Sequence, residues 1–161
     1  MTNKVTATTW AEINLDNINF NLNNIKKILK EDTKICTVLK ANAYGHGSVA
    51  IAKFLENKNV DYFAVSRIEE AIELRQNNIK MPILCLGFVP EEFFEYAIKN
   101  DITLTVYSLD MAKKLNSICK GLNKSINVHI KIDTGMSRIG FEVSEESIEQ
   151  IVDIYNLNNL Y

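Results

Sequence analysis

The sequence predicts an α/β fold built on a parallel sheet, and three observations predict it. Five short apolar runs, at 34–40, 62–66, 82–87, 104–108 and 126–133, are each followed by a stretch with helical spacing. Alternation of this kind argues for parallel strands joined by right-handed crossovers. The 161 residues, 47% of them hydrophobic, are enough to bury one core. With 2 Pro and 6 Gly, the chain has no linker-like segment to divide it. The alternation does not separate a closed barrel from a doubly wound sheet.

The elements follow in order. AEINLD (11–16) alternates apolar and polar residues as a short strand does, and Asp16 then caps a helix. Ile18, Leu22, Ile25, Ile28 and Leu29 form the apolar stripe of that helix. KICTVLK (34–40) is the first strand of the repeating pattern, and SVAIAKFLEN (48–57) its helix. YFAVS (62–66) pairs with the helix 68–78, whose apolar face starts from Ile68, Ala71 and Ile72. PILCLG (82–87) precedes the helix 90–100, where Pro90 suits the first turn and Glu91 and Glu92 suit the positive end. LTVYS (104–108) leads to the helix 109–121, which Gly121 is placed to end. INVHIKID (126–133) leads to the helix 144–156, opened by a weak capping box of Ser144 with Ser147.

Composition excludes several classes. The 18 basic and 20 acidic residues leave a net charge of −2, so no field draws in nucleic acid or an anionic membrane. The opening, MTNKVTATTWAEINLD, has no apolar leader core or cleavage signature, and no run is long enough to span a bilayer. Cys36, Cys85 and Cys119 are odd in number and far apart, the pattern of reduced, buried thiols and not of disulfides or a zinc site. A cytoplasmic protein is the expectation.

TVLKANAYGHGS (37–48) holds the first candidate site. Strand parity puts Lys40 on one face with Val38 and Cys36, at the carboxyl end, where α/β folds place ligands. A lysine partly desolvated there is a better amine nucleophile, as Schiff-base chemistry needs. The bland alternative is a lysine that snorkels to water. Tyr44 could simply pack over the strand ends, and His46, between Gly45 and Gly47, could bond only its own turn. The amides opening the next helix could hold an anion such as a phosphate.

NVHIKIDTGMSRIGF (127–141) is the second. Val128, Ile130 and Ile132 share one face; Asn127, His129, Lys131 and Asp133 share the other. In a barrel the polar face points into the lumen, where such groups need partners. The same pattern fits an edge strand with one face in water. Arg138 is a forked donor suited to a carboxylate or phenolate oxygen, or to a surface salt bridge.

VLKANAYGHG and KIDTGMSRIGF resemble the two signature segments of the bacterial alanine racemase family, and TTWAEINLDNINFNLNNIKKIL is similar to its opening segment. The resemblance covers the whole chain. It implies a parallel (β/α) barrel of the alanine racemase type that binds pyridoxal 5'-phosphate, followed by a β-rich C-terminal domain. Lys40 would form the internal aldimine and serve as one of two catalytic bases. Tyr44 would bond the cofactor phosphate. Arg138 would contact the cofactor's phenolic oxygen and the carboxylate of alanine. Lys131 matches a position often carbamylated, and Met136 would lie at the mouth of the site, near the second subunit of a homodimer. The activity implied is interconversion of L- and D-alanine, which supplies D-alanine for the cell wall, with one base on each face of Cα.

Against that pattern, residues 1–161 match only the N-terminal portion of the barrel, about five βα units. The opposite-face tyrosine base, the arginine facing the pyridine nitrogen, most phosphate ligands and the C-terminal β domain have no counterpart here. The resemblance therefore implies a partial chain, inactive alone, with two open strand edges that favour self-association. Two alternatives stand: a related pyridoxal-phosphate racemase or decarboxylase with another substrate, and a non-catalytic cofactor carrier or half-barrel scaffold.

Overall fold

The computed structural model describes residues 8–161. Residues 1–7, on which part of the leader reading rests, lie outside the described residues. The chain divides into two units, Met1–Thr33 and Lys34–Tyr161.

In the first unit, Leu15–Ile28 forms helix α1. Two expectations are corrected here. Residues 10–14 form no strand, and the cap is Asn14, not Asp16. The Asn14 side-chain oxygen accepts the N–H of Asp16 at 2.9 Å and of Asn17 at 3.1 Å. A short amide already satisfies these end groups, so Leu15 and Asp16 are drawn into the helix. Leu22 is buried, whereas Ile25 and Ile28 of the expected stripe are exposed.

The second unit is a five-stranded parallel sheet. Its strands are β1 (Cys36–Val38), β2 (Tyr62–Val65), β3 (Ile83–Cys85), β4 (Ile102–Val106) and β5 (Val128–Ile130), in spatial order β1-β2-β3-β4-β5. Every neighbouring pair is parallel. An order that never reverses has no switch point, so it is a barrel wall and not a doubly wound sheet. Between the strands run α3 (Ser48–Leu55), α4 (Ile68–Gln76), α5 (Phe94–Lys99) and α6 (Leu109–Gly121), with α7 (Glu145–Tyr155) after β5. A short left-handed turn, α2 (Lys40–Tyr44), follows β1.

The register sorts the side chains. Phe63, Ile83, Ile102 and Leu104 occupy one face with Val65, Cys85 and Val106, and all are fully buried. The helices supply Ile51, Leu55, Ile68, Leu74, Ile98 and Leu115 to this core. Each such residue, fully buried, contributes roughly 1.5–3 kcal/mol. Leu74, rather than the expected Ile72, completes the buried stripe of α4. The other face carries Cys36, Tyr62, Thr103, Thr105 and His129. There the Tyr62 hydroxyl and Thr103 Oγ1 are hydrogen-bonded at 2.5 Å, and the Tyr62 and His129 rings lie 6.2 Å apart. Thr105 Oγ1 donates to the Cys85 carbonyl at 2.8 Å. The polar lumen face expected for β5 is thus continuous with a polar layer on β2 and β4, although β5 also lies at the sheet edge.

Several boundaries move. Asp101 adopts φ 51° after α5, so β4 begins at Ile102 and not at 104. Gly121, expected to end α6, is its last helical residue, and Asn123 beyond it adopts left-handed dihedrals (φ 50°). Ser144 does cap α7, accepting the N–H of Ser147 at 3.1 Å. Cys36 is exposed on β1 and corrects the expectation of three buried thiols; Cys85 and Cys119 are buried. Burial pushes the Cys85 thiol up to about 11. The two edges are not equally open: Val128 N–H donates to the Tyr161 carbonyl at 2.7 Å, and Tyr161 N–H to that of Ile126 at 3.1 Å. Among the described residues, no helix is long and apolar enough to cross a membrane, and no group of acidic, His or Cys side chains could hold a metal ion.

Candidate active site

The strand containing Lys40 ends two residues earlier than its apolar run. β1 stops at Val38, and Leu39 N–H makes one more ladder bond, to the Ala64 carbonyl at 2.7 Å. The chain then winds through α2 with left-handed dihedrals: φ is 52° at Ala41, 54° at Asn42, 51° at Ala43 and 55° at Tyr44. This hand costs an L-residue roughly 1–2 kcal/mol, so four in a row cost on the order of 4–8 kcal/mol. Gly45 (φ 89°) and Gly47 (φ 92°) let the chain leave the turn.

Specific bonds offset that cost. Ala43 N–H donates to the Leu39 carbonyl at 2.8 Å, and Gly47 N–H to that of Asn42 at 2.9 Å. The Asn42 side-chain oxygen accepts Ser48 N–H at 2.8 Å. His46 Nδ1 meets the Ala43 carbonyl at 2.9 Å, so this histidine bonds its own turn. The expected anion seat at the start of α3 is corrected in part, because its Ser48 N–H is already taken by Asn42.

The turn sets the placement of Lys40 and Tyr44. Lys40 is half-buried, and its Nζ lies 5.9 Å from the centre of the Tyr44 ring. Tyr44 is 61% exposed, and among the described residues its hydroxyl makes no hydrogen bond. An amine and a phenol therefore stand together at the carboxyl end of β1, the phenol with its hydrogen-bonding capacity unspent.

Sequence reasoning missed a third residue. Glu70, in the first turn of α4, accepts Ala41 N–H on Oε1 at 2.6 Å. Its Oε2 accepts the N–H of Ser66 at 2.8 Å and of Arg67 at 3.0 Å. Burial pushes the Glu70 carboxyl up, but these N–H donors and the Arg67 charge outweigh it and hold the carboxyl below the usual glutamate value. The available signal was an acid three residues into a helix, the reciprocal half of a capping box. It was obscured because Arg67, not Ser or Thr, stands at the cap.

At the other edge, the segment after β5 closes on itself. Phe141 N–H donates to the Lys131 carbonyl, and Asp133 N–H to the Phe141 carbonyl, both at 2.8 Å. Asp133 Oδ1 accepts the N–H of Gly135 and of Ser137, each at 3.0 Å. The Ser137 and Gly135 N–H groups hold the Asp133 carboxyl below its usual value. A side chain at Gly140 would meet Asp133 N at 2.8 Å and the Lys131 carbonyl oxygen at 3.1 Å. Only glycine fits this neck. Met136 and Arg138 are exposed on the loop, and Lys131 is half-buried at its base. Among the described residues, Arg138 makes no hydrogen bond or ion pair. The two clusters share one end of the sheet but sit on its opposite edges. Four strand spacings, about 19 Å along the sheet, separate those edges. Among the described residues, no hydrogen bond or ion pair joins the clusters.

A sequentially ordered parallel sheet with its chemistry-bearing side chains at the carboxyl ends defines a (β/α)-barrel domain. The family described as alanine racemase, N-terminal domain, matches residues 13–161, and the chain belongs to it. Among relatives, alanine racemase of Methanococcus maripaludis is 46% identical over 151 residues, covering 94% of this chain and 40% of its own length. The solved alanine racemase of Clostridium difficile 630 is 58% identical with a TM-score of 0.95, covering 98% of this chain and 41% of its own. Histidine racemase from Leuconostoc mesenteroides subsp. sake shares the fold at 28% identity and a TM-score of 0.79, over 89% of this chain and 38% of its own. The chain thus spans about two fifths of the length of the relatives it matches.

Proposed function

We propose that the chain forms the lysine-bearing wall of an alanine racemase site that uses pyridoxal phosphate. The observation that carries this reading is the left-handed turn after β1, which sets the Lys40 amine beside the ring of Tyr44, whose hydroxyl makes no hydrogen bond among the described residues. That donor set fits an aldehyde cofactor carrying a phosphate: an amine to hold the aldehyde carbon and a phenol to bond a phosphate oxygen. Arg138, which makes no ion pair among the described residues, would hold the cofactor's phenolic oxygen and the substrate carboxylate with its forked N–H groups. Lys131 would act as a carbamate, formed with carbon dioxide, whose negative charge orients Arg138. Met136 would lie at the mouth of the site.

When bound, the cofactor makes the Cα–H of an amino acid acidic by spreading the carbanion into its ring. Lys40 then takes or returns the Cα proton on its own face. Inversion needs a second base on the other face. In this reading that base, the remaining phosphate contacts and a β-rich C-terminal domain come from residues beyond the 161 here. The whole enzyme would be a cytoplasmic homodimer supplying D-alanine for the cell wall. A second reading, a racemase for another amino acid, is favoured by the shared fold of the histidine racemase.

The test uses the purified chain, pyridoxal phosphate, borohydride reduction and peptide mass. A reduced adduct confined to Lys40, and lost in Lys40→Ala, is the expected result. Labelling spread over exposed lysines, or no labelling, would overturn the assignment of Lys40 in this chain.

A further inference from the structure

The carboxylate of Glu70 belongs to neither signature segment, yet it reaches the backbone next to Lys40. Its Oε1 takes the N–H of Ala41, and its Oε2 takes those of Ser66 and Arg67. Ala41 is the first residue of the left-handed turn, and Ser66 and Arg67 form the turn that follows β2. One side chain thus ties the carboxyl ends of β1 and β2 together at the point where Lys40 leaves the strand. Lys40 makes no hydrogen bond or ion pair of its own among the described residues, so the direction of its side chain depends on this backbone. The left-handed dihedrals of Ala41 are costly, and the Glu70 oxygen holds the N–H that would move if they relaxed.

We propose that Glu70 is a positioning residue for Lys40, clamping the Ala41 amide so that the lysine amine is presented beside Tyr44. The proposal rests on the reading of Lys40 as the cofactor lysine. Two acceptor oxygens are needed, because the Ala41 amide lies on one side of the carboxylate and the Ser66–Arg67 pair on the other. Glutamine keeps the shape of the side chain but presents an N–H₂ group to one of these N–H groups. It can therefore serve one turn and not both.

The experiment compares the chain with Glu70→Gln and with Ser108→Ala, which removes the cap of α6, away from the β1–α2 turn. Each is reduced with borohydride at a limiting concentration of pyridoxal phosphate, and the Lys40 peptide is quantified. Glu70→Gln should lower the Lys40 adduct about tenfold, the loss of one charge-assisted bond. Ser108→Ala should leave it unchanged at a similar loss of thermal stability. An unchanged Lys40 adduct in Glu70→Gln overturns the positioning role and leaves the Lys40 assignment standing. No Lys40 adduct in the parent chain overturns that assignment and the positioning role with it. If Glu70→Gln does not fold, hydrogen exchange on the parent chain decides. An Ala41 amide protected well beyond its exposed surroundings supports the clamp, and one exchanging at the open-chain rate overturns it.

Discussion

Helix α4 reaches both ends of the barrel wall, and its two ends do opposite things. At the carboxyl end of the sheet, Glu70 gathers three backbone N–H groups from two turns. At the amino end, Arg75 donates to four backbone carbonyls: Asn100 at 2.9 Å, Ile79 at 2.8 Å, Met81 at 2.9 Å and Asp101 at 3.0 Å. The sense matches the helix. Turns at the start of a helix leave unpaired N–H groups that want an anion, and turns at its end leave carbonyls that want a cation. What lies beside each clamp differs. The carboxyl-end clamp holds a left-handed turn and a lysine, whereas the amino-end clamp holds the α4–β3 and α5–β4 turns, and none of the candidate site residues. One end is built to present a group and the other to close the fold, the division expected of barrels.

The sharpest way to break this comparison is Arg75→Ala. It orphans four carbonyl acceptors at once, in a partly desolvated place where burial pulls the guanidinium below its usual value. The loss should be about 3–5 kcal/mol in urea unfolding, among the largest single-residue effects in the domain. The Lys40 adduct formed by the folded fraction should stay at the parent level. A drop in that adduct matching the effect of Glu70→Gln would show that the two ends are not separable.

This division was only half legible in the sequence. The strand–helix alternation and the parity of β5 were readable because apolar spacing follows directly from backbone geometry. Lys40, Tyr44 and Arg138 were readable as candidates because few residue types can do the chemistry proposed for them. Glu70 and Arg75 were not, since each acts on backbone groups far away in sequence, and backbone groups leave no trace in residue identity. The left-handed turn was hidden for a related reason. Ala41, Asn42, Ala43 and Tyr44 include only one residue type with a known tolerance for positive φ, so propensity argues against the conformation that the bonds enforce. The expected strand at 11–16 failed because alternation alone cannot supply a partner strand.

Gly140→Ala probes the carboxyl end at its other edge. The added methyl would stand 2.8 Å from Asp133 N, on a backbone with φ 133° that an alanine resists. The clash and the strain together should cost about 2–3 kcal/mol, because backbone and not a flexible side chain must give way. The same change should loosen the loop that carries Met136 and Arg138. Faster trypsin cleavage after Arg138 is the expected local readout. Cleavage at the parent rate would mean that Asp133, through Gly135 and Ser137, holds the loop without help from the neck.

The smallest effect separates the two clamps by acidity. The Glu70 carboxyl is held below its ordinary value of 4.5 in the folded chain. A lowered carboxylate contributes stability that is fully present above the unfolded value and is lost as pH falls through the folded one. The stability gap between the parent and Glu70→Gln should therefore be widest near about pH 7 and shrink toward about pH 3. Asp133, also held low, weakens the parent and the variant alike in that range, so it cancels from the difference. Arg75 stays protonated throughout, since a guanidinium does not lose its proton in proteins. The gap between the parent and Arg75→Ala should accordingly stay flat where the Glu70 gap closes. A Glu70 gap that is just as flat would mean that the carboxylate's charge contributes nothing, and that the carboxyl-end clamp is held by shape alone.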